Sequence, residues 1–133
     1  MYKHILLPTD GSERSARAIS AGLQLAEKLN ARVTGLYVEE LTYIQSIDEN
    51  HSPKAISALK EFEHQASQTR VEFKCVTVKD DAPQNAIVNF AVDKGCDLII
   101  MGTHGRSRVG KLFLGSSAAA VLAECDIPLL LYR

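Results

Sequence analysis

Short apolar runs alternate with amphipathic segments along this chain, which is the pattern of a parallel β-sheet covered by helices on both faces. The apolar runs predict five strands, at His4–Leu7, Arg32–Val38, Val71–Val78, Asp97–Met101 and Pro128–Tyr132. The first and fourth runs are the most uniformly apolar, which predicts central, adjacent strands buried on both faces. The third run alternates, as an edge strand does. The first strand is predicted to stop at Pro8, because proline cannot donate to a ladder.

Recognisable start and stop signals delimit four helices between these strands. Serine at two of the starts can cap the free amides of a first helical turn. Proline at a first helical position has its φ already set, and glycine past a helix end can take the left-handed conformation. The signals are Ser12 and Asn30 for the first helix, Ser52-Pro53 for the second, Asp81-Ala82-Pro83 and Gly95 for the third, and Ser116 and Glu124 for the fourth.

The carboxyl ends of the predicted central strands carry residues of chemical interest. In a sheet of this type, ligands bind beyond those ends, where neighbouring crossovers turn in opposite directions. Thr9-Asp10 follows the first strand and Gly102 follows the fourth, so these residues are expected beside each other. Asp10 could bind ribose, bind a metal, or cap the following helix. Two charge runs, Glu39-Glu40 and Lys79-Asp80-Asp81, are interpreted as solvated.

Composition narrows the classes of protein. The chain has 133 residues, of which 46% are hydrophobic and 23% charged, with a formal net charge of -1. This length predicts a single domain over residues 1–133, and the charge does not fit a dedicated nucleic-acid binder. No apolar run approaches the roughly 20 residues of a bilayer span, so we expect a soluble, cytoplasmic protein without membrane insertion. Cys75, Cys96 and Cys125 form no Cys-x-x-Cys pair, which indicates buried thiols.

A glycine-rich segment between the fourth strand and the fourth helix carries the most informative motif. Gly102-Thr103-His104-Gly105 is followed by Gly115-Ser116. Glycines let backbone amides approach an anion without a Cβ in the way, and the free amides at a helix start add oriented dipoles. The cations between the glycines, Arg106, Arg108 and Lys111, favour an anionic ligand. The alternative is a flexible surface loop whose basic residues are solvated.

The motif resembles that of the nucleotide-binding branch of the universal stress protein family, Gly-x2-Gly-x9-Gly followed by Ser or Thr. The chain matches it at Gly102, Gly105, Gly115 and Ser116, and the resemblance extends over the opening and closing strands to essentially the whole chain. It implies a three-layer, doubly wound α/β fold of the adenine nucleotide alpha hydrolase-like type, with five parallel strands in the order 3-2-1-4-5. It also implies ATP as the ligand, with or without Mg²⁺, and a nucleotide-dependent regulatory or stress-response role.

Carried over position by position, the family's pattern assigns two groups of residues. The nucleoside contacts would be Pro8, Thr9, Asp10 and Val38. The phosphate contacts would be Gly102, Gly105, Gly115, Ser116 and Ser117, with Arg106 close by. Ser117 stands where such proteins often have an aliphatic residue, and it adds a donor or helps to cap the helix. His104 could touch a phosphate and is interpreted as a positioning group rather than a catalytic one, since no carboxylate partner is evident.

Other functions find less support in the residues. Residues 105–112 nearly form a Walker-type phosphate loop, but Leu112 stands where a hydroxyl must hold magnesium. An enzyme that hydrolyses ATP or transfers its phosphate needs a base, a positioned water and a magnesium site, so without a convincing set turnover is expected to be slow at most. A non-binding scaffold of the same fold is disfavoured by the intact glycine spacing. The regulatory partner and the role of residues 39–51 stay unassigned.

Self-association is a further expectation. The short, strongly apolar strand Pro128–Tyr132 is predicted at a sheet edge, and such edges are usually covered. Pairing with its twin across a two-fold axis would cover it. The resemblance implies the same arrangement, because the family commonly forms homodimers in this way.

Overall fold

The structure is a computed structural model that describes residues 1–41, 51–103 and 115–133. The strands are β1 (His4–Thr9), β2 (Arg32–Glu39), β3 (Phe73–Lys79), β4 (Leu98–Gly102) and β5 (Leu129–Tyr132). The helices are α1 (Glu13–Leu29), α2 (Pro53–Ser67), α3 (Pro83–Asp93) and α4 (Ser116–Glu124). The predicted alternation is therefore confirmed. In the described ranges, no helix combines the length and the apolarity needed to cross a bilayer.

The five strands form one parallel sheet in the order β3-β2-β1-β4-β5. This confirms the predicted order, with β1 and β4 central and adjacent and β3 at one edge. Helices α1 and α2 pack on one face around Phe62, whereas α3 and α4 pack on the other face around Ile99. The chain winds outward from β1 to β3 and then returns past β1 to β4, so the strand order reverses between β1 and β4.

The prediction that β1 stops at Pro8 is wrong. β1 continues to Thr9, and Pro8 pairs in parallel register with β2. Alternate residues of a strand direct their backbone groups to opposite neighbours, and the carbonyl oxygen of His4 accepts from Asp97 on the β4 side. Pro8 lies four residues after His4, so its backbone nitrogen faces β4 as well. Since β1 and β4 pair at Ile5-Leu6, before Pro8, the missing amide hydrogen costs no ladder bond.

The helices start at the edge of the sheet where the strands have their carboxyl ends. The predicted caps are confirmed for two of them: the Ser12 hydroxyl accepts from the Ser15 amide at 3.2 Å, and the Ser52 hydroxyl accepts from the Ala55 amide at 3.1 Å. α4 starts after Gly115 without a side-chain cap hydrogen bond. Free amides and the positive ends of helix dipoles therefore gather at this edge.

The three cysteines are free thiols. Cys96 is buried, as predicted, but Cys75 and Cys125 are half-buried, because Cys75 lies on the edge strand β3 and Cys125 follows the last turn of α4. Burial raises the pKa of Cys75 and of Cys96 to about 11. Neither thiol is therefore a reactive thiolate at neutral pH.

Candidate functional site

A cavity of about 510 Å³ opens at the carboxyl edge of the sheet, against the ends of β1, β2 and β4. Its volume falls within the roughly 300–1,000 Å³ that is typical of small-molecule sites. All four helices contribute residues from near their amino ends to its wall. The cavity lies where the strand order reverses, which is the place where open parallel sheets bind their ligands.

The structure brings most of the predicted site residues together in this cavity. Those that line it are Pro8, Thr9, Asp10, Val38, Gly102, Gly115 and Ser117. Ser116 is exposed and does not line the cavity, because one step along a helix turns a side chain by about 100°. Three predicted residues, His104, Gly105 and Arg106, lie outside the described residues.

Asp10 presents a carboxylate at the cavity with one oxygen already used. Its Oδ1 accepts from the Ser12 amide at 2.9 Å and from the Ser15 hydroxyl at 2.7 Å. Burial raises the pKa of Asp10, but these hydrogen bonds outweigh it and hold the pKa below the usual 3.8. Since Ser12 caps α1, Asp10 is not the cap. Its Oδ2 makes no hydrogen bond with any described residue, which leaves an ionised acceptor for a ligand.

Gly102 is favoured by the close packing of α1 against the end of β4. A Cβ at this position would lie 3.0 Å from the carbonyl oxygen of Arg14 and 3.2 Å from its carbonyl carbon, both in the first turn of α1. Backbone atoms of a helix cannot yield as a flexible side chain does. The glycine therefore lets α1 start directly against the end of β4, and this contact brings the first turn of α1 to the cavity.

The interpretation of Glu39-Glu40 as a solvated charge run is wrong for Glu39. Its side chain is 6% exposed and lines the cavity, whereas Glu40 is exposed. Glu39 accepts from the Ser52 amide, and its Oε2 lies 3.2 Å from Nδ1 of His51. Burial raises the pKa of Glu39, but the hydrogen bonds from Ser52 and His51 bring it below the usual 4.5. The carboxylate thus fastens the start of α2 to the end of β2, beside the cavity.

The remaining wall divides into an apolar side and a charged side. The apolar side is built by residues of β2, α3, β4 and α4, namely Leu36, Ile87, Met101 and Ala118. The charged side carries two cations from first helical turns, Arg14 of α1 and Lys54 of α2, together with the carboxylates of Asp10, Glu39 and Glu40. An amphipathic ligand with an apolar ring and an anionic group fits such a wall.

Several cavity residues escaped the sequence interpretation, namely Ser12, Arg14, Ser15, Tyr37, Glu39 and Lys54. A signal for some of them was present: in a β–α unit, the first turn of the helix starts at the edge where the strand ends. That rule indicates Arg14 and Lys54. It does not indicate the burial of Tyr37 and Glu39, which depends on how closely α2 approaches β2.

The described residues hold no cluster of three or more His, Cys, Asp or Glu side chains that could bind a metal ion. Asp10 and Glu39 both line the cavity, but each has an oxygen committed to a backbone amide.

Comparison with known proteins gives a consistent result. The model described as the universal stress protein family matches residues 1–133. A universal stress protein of Thermus aquaticus is 36% identical, and the match covers 100% of both chains. The universal stress protein MJ0531 of Methanocaldococcus jannaschii is 30% identical over 100% of this chain and 83% of its own. A universal stress protein solved in complex with cAMP has a TM-score of 0.77 and 25% identity, covering 99% of this chain and 97% of that one.

Proposed function

The chain belongs to the universal stress protein family, and we propose that it binds an adenine nucleotide, ATP, in the cavity at the carboxyl edge of the sheet. One observation carries the proposal. One cavity, at the point where the strand order reverses, combines three features. These are a carboxylate with an oxygen available to a ligand, an apolar wall, and a helix start without a side-chain cap. The bound nucleotide would change the protein surface that a regulatory partner recognises, in a stress-response role.

The nucleoside would occupy the β1–β2 side of the cavity. We assign Oδ2 of Asp10 to the ribose hydroxyls, because its Oδ1 is occupied by Ser12 and Ser15. Pro8, Thr9 and Val38 would surround the nucleoside, and Val38 packs against the apolar cluster that lines one wall. A purine ring gains contact there while leaving water, which favours its binding.

The phosphates would lie at the start of α4. Gly115 precedes the helix without a side-chain cap bond, so amides of the first turn are available to an anion. Ser117, which lines the cavity, would add a hydroxyl, whereas Ser116 lies outside the lining. The basic residues of the glycine-rich segment, including Arg106, would complete the site. Mg²⁺ would arrive held by phosphate oxygens and water, as is usual for this ion.

The ligand of a relative supports the choice of an adenine nucleotide. The universal stress protein solved with cAMP is 25% identical to this chain and covers nearly all of it. Adenine, a ribose ring and phosphate are common to cAMP and ATP, which supports an adenine nucleotide as the class of ligand. ATP is supplied in the cytoplasm, which is the compartment that this proposal requires.

Binding rather than rapid turnover is the function that the carboxylates favour. A general base works best when its pKa lies near the operating pH. Hydrogen bonds hold the pKa of Asp10 and of Glu39 below their usual values, although burial opposes them. Both groups are therefore weak bases at neutral pH, and we propose hydrolysis far slower than the roughly 10 s⁻¹ of a typical enzyme.

Native nucleotide content and calorimetry test the proposal. Protein purified under native conditions is denatured, and the released small molecules are identified by mass spectrometry. Nucleotide-free protein is then titrated with ATP and with GTP. We expect an adenine nucleotide in the released fraction and tighter binding of ATP than of GTP. Release of no nucleotide, together with no heat on ATP addition, would contradict the proposal.

We also propose that two copies pair through β5. This strand forms one edge of the sheet, and Leu130 and Tyr132 on it are each 38% exposed. Exposed strand edges with apolar side chains are usually covered. A two-fold arrangement lets the same edge serve both copies.

Light scattering measures this association directly. At tens of micromolar, we expect a mass about twice that of one chain, as a two-fold dimer requires. Leu130→Lys places a charge on the edge strand and should give a monomer. Ile56→Lys is the control, because Ile56 is an exposed aliphatic residue of α2, a helix that packs against β2 and β3 on the far side of the sheet from β5. A monomeric mass for the unmodified protein would refute pairing through β5.

A further inference from the structure

Tyr37 is a buried residue whose hydroxyl forms no hydrogen bond with any described residue. The residue lies on β2, pairs in register with Thr9 of β1, and lines the cavity one position away from Asp10. Only 7% of Tyr37 is exposed. A buried hydroxyl without a partner is unfavourable, so such groups are normally satisfied by protein, water or a ligand. Because this one belongs to a cavity wall, a ligand can supply the missing partner.

The packing of α2 fixes where the phenol ring stands. Tyr37 forms a small buried cluster with Ala55 and Ala58, against which Leu59 packs. Gly35 lies two residues earlier on the same face of β2 and touches α2 as well, since alternate residues of a strand share a face. The small side chains of α2 leave space for the ring but offer its hydroxyl no partner. This packing sets the position of the ring, and so of its hydroxyl, before a ligand binds.

The charges around the phenol indicate which part of a nucleotide it meets. Burial is the main cause that raises the pKa of Tyr37, and the carboxylates of Glu39, Asp10 and Glu40 raise it further. The phenol therefore stays protonated and can donate. Three carboxylates against one nearby cation, Lys54, disfavour a phosphate here, so an uncharged ligand group fits best beside Tyr37. A sugar hydroxyl, which both donates and accepts, satisfies the phenol and the free oxygen of Asp10 together.

We propose that the Tyr37 hydroxyl hydrogen-bonds a ribose hydroxyl of the bound nucleotide and, with Asp10, makes the cavity selective for nucleotides that retain the vicinal diol. The inference rests on the proposed ATP site and adds a residue that reads the sugar. One hydroxyl of the diol donates to Oδ2 of Asp10, and the other accepts from Tyr37. A site built to bond a hydroxyl rejects the analogue lacking it, because its own polar groups are then left unpaired.

Titration of wild type and Tyr37→Phe with ATP and with 2′,3′-dideoxyATP tests the inference. We expect Tyr37→Phe to weaken ATP binding about tenfold, which is the loss of roughly one hydrogen bond. It should weaken dideoxyATP binding by less than about twofold, because that ligand offers the phenol no partner. The thermal midpoint should not fall, since the variant removes a hydroxyl that is unpaired in the protein. Tyr132→Phe, on the edge strand β5, is the matched control and should leave both affinities unchanged.

Each outcome decides the matter. An unchanged ATP affinity in Tyr37→Phe overturns the inference while leaving ATP binding intact. Equal losses for ATP and dideoxyATP also overturn it, because the hydroxyl would then not be reading the sugar. Failure of the wild type to bind either nucleotide refutes the proposed function, and the inference falls with it.

Discussion

Replacement of Gly35 by alanine is expected to lower the free energy of unfolding by about 3 kcal/mol, near the upper end of what overpacking a core costs. A Cβ at Gly35 would lie 2.8 Å from two ring atoms of Phe62 and 2.9 Å from a third. Phe62 is fully buried and meets Phe73 edge-on at a centroid distance of 6.2 Å, so its ring has nowhere to move. The added methyl must therefore push α2 away from β2.

Denaturant unfolding monitored by circular dichroism measures this loss. Gly95→Ala makes the same chemical change where no atom lies within 4 Å of the new Cβ. Its cost should be about 1–2 kcal/mol, from the left-handed backbone at φ +70° alone. The double change Gly35→Ala with Phe62→Leu should fall short of the sum of the two single losses, because the smaller side chain makes room. A loss of unfolding free energy at Gly35 no greater than at Gly95 would show that α2 moves away from β2 at little cost.

The contact at Gly35 also matters for the cavity. α2 approaches β2 closely only because Gly35 has no side chain, and that approach buries Tyr37 against Ala55 and Ala58. It also brings Ser52 and Lys54, at the start of α2, to the cavity wall. Packing in the core and the shape of the candidate site are therefore linked through one glycine.

The arrangement of strands was predictable because buried parallel strands differ in composition from everything around them. The uniform apolar runs at β1 and β4 indicate burial on both faces, and the alternation near Val71–Val78 indicates an edge. Placement of Asp10 and Gly102 at one cavity follows from that topology without any detail of packing. Local signals such as Ser12 and Ser52 specified helix starts because a cap acts within its own first turn.

Features that depend on two elements meeting at a given distance were not predictable. From the sequence, Glu39 is interpreted as a surface charge, whereas in the structure α2 brings the Ser52 amide and His51 to it. The sequence predicts Gly102 to be a phosphate contact, yet close packing with the first turn of α1 already disfavours a side chain there. The sequence predicts a strand end at Pro8, because the pattern does not reveal that its nitrogen faces β4 beyond the residues where β1 and β4 pair. In each case the deciding fact is a tertiary contact.

Asp10→Asn is expected to weaken ATP binding about 30-fold, which corresponds to roughly 2 kcal/mol and to loss of one charged hydrogen bond to the ribose. Asparagine can keep a carbonyl oxygen for the Ser12 amide and the Ser15 hydroxyl, so the turn into α1 should persist. The second oxygen becomes an NH₂ group, which donates and cannot accept from a sugar hydroxyl. Calorimetric titration with ATP measures the change.

Asp80→Asn provides the matched control for this change. Asp80 follows β3 as Asp10 follows β1, and its Oδ1 accepts from the Ala82 amide at 2.9 Å in the same kind of turn. It does not line the cavity, so its amidation should leave ATP affinity within about twofold. Equal effects of the two substitutions would mean that net charge, rather than a ribose contact, sets the affinity. Full ATP affinity in Asp10→Asn would show that the ribose does not bind at this end of the cavity.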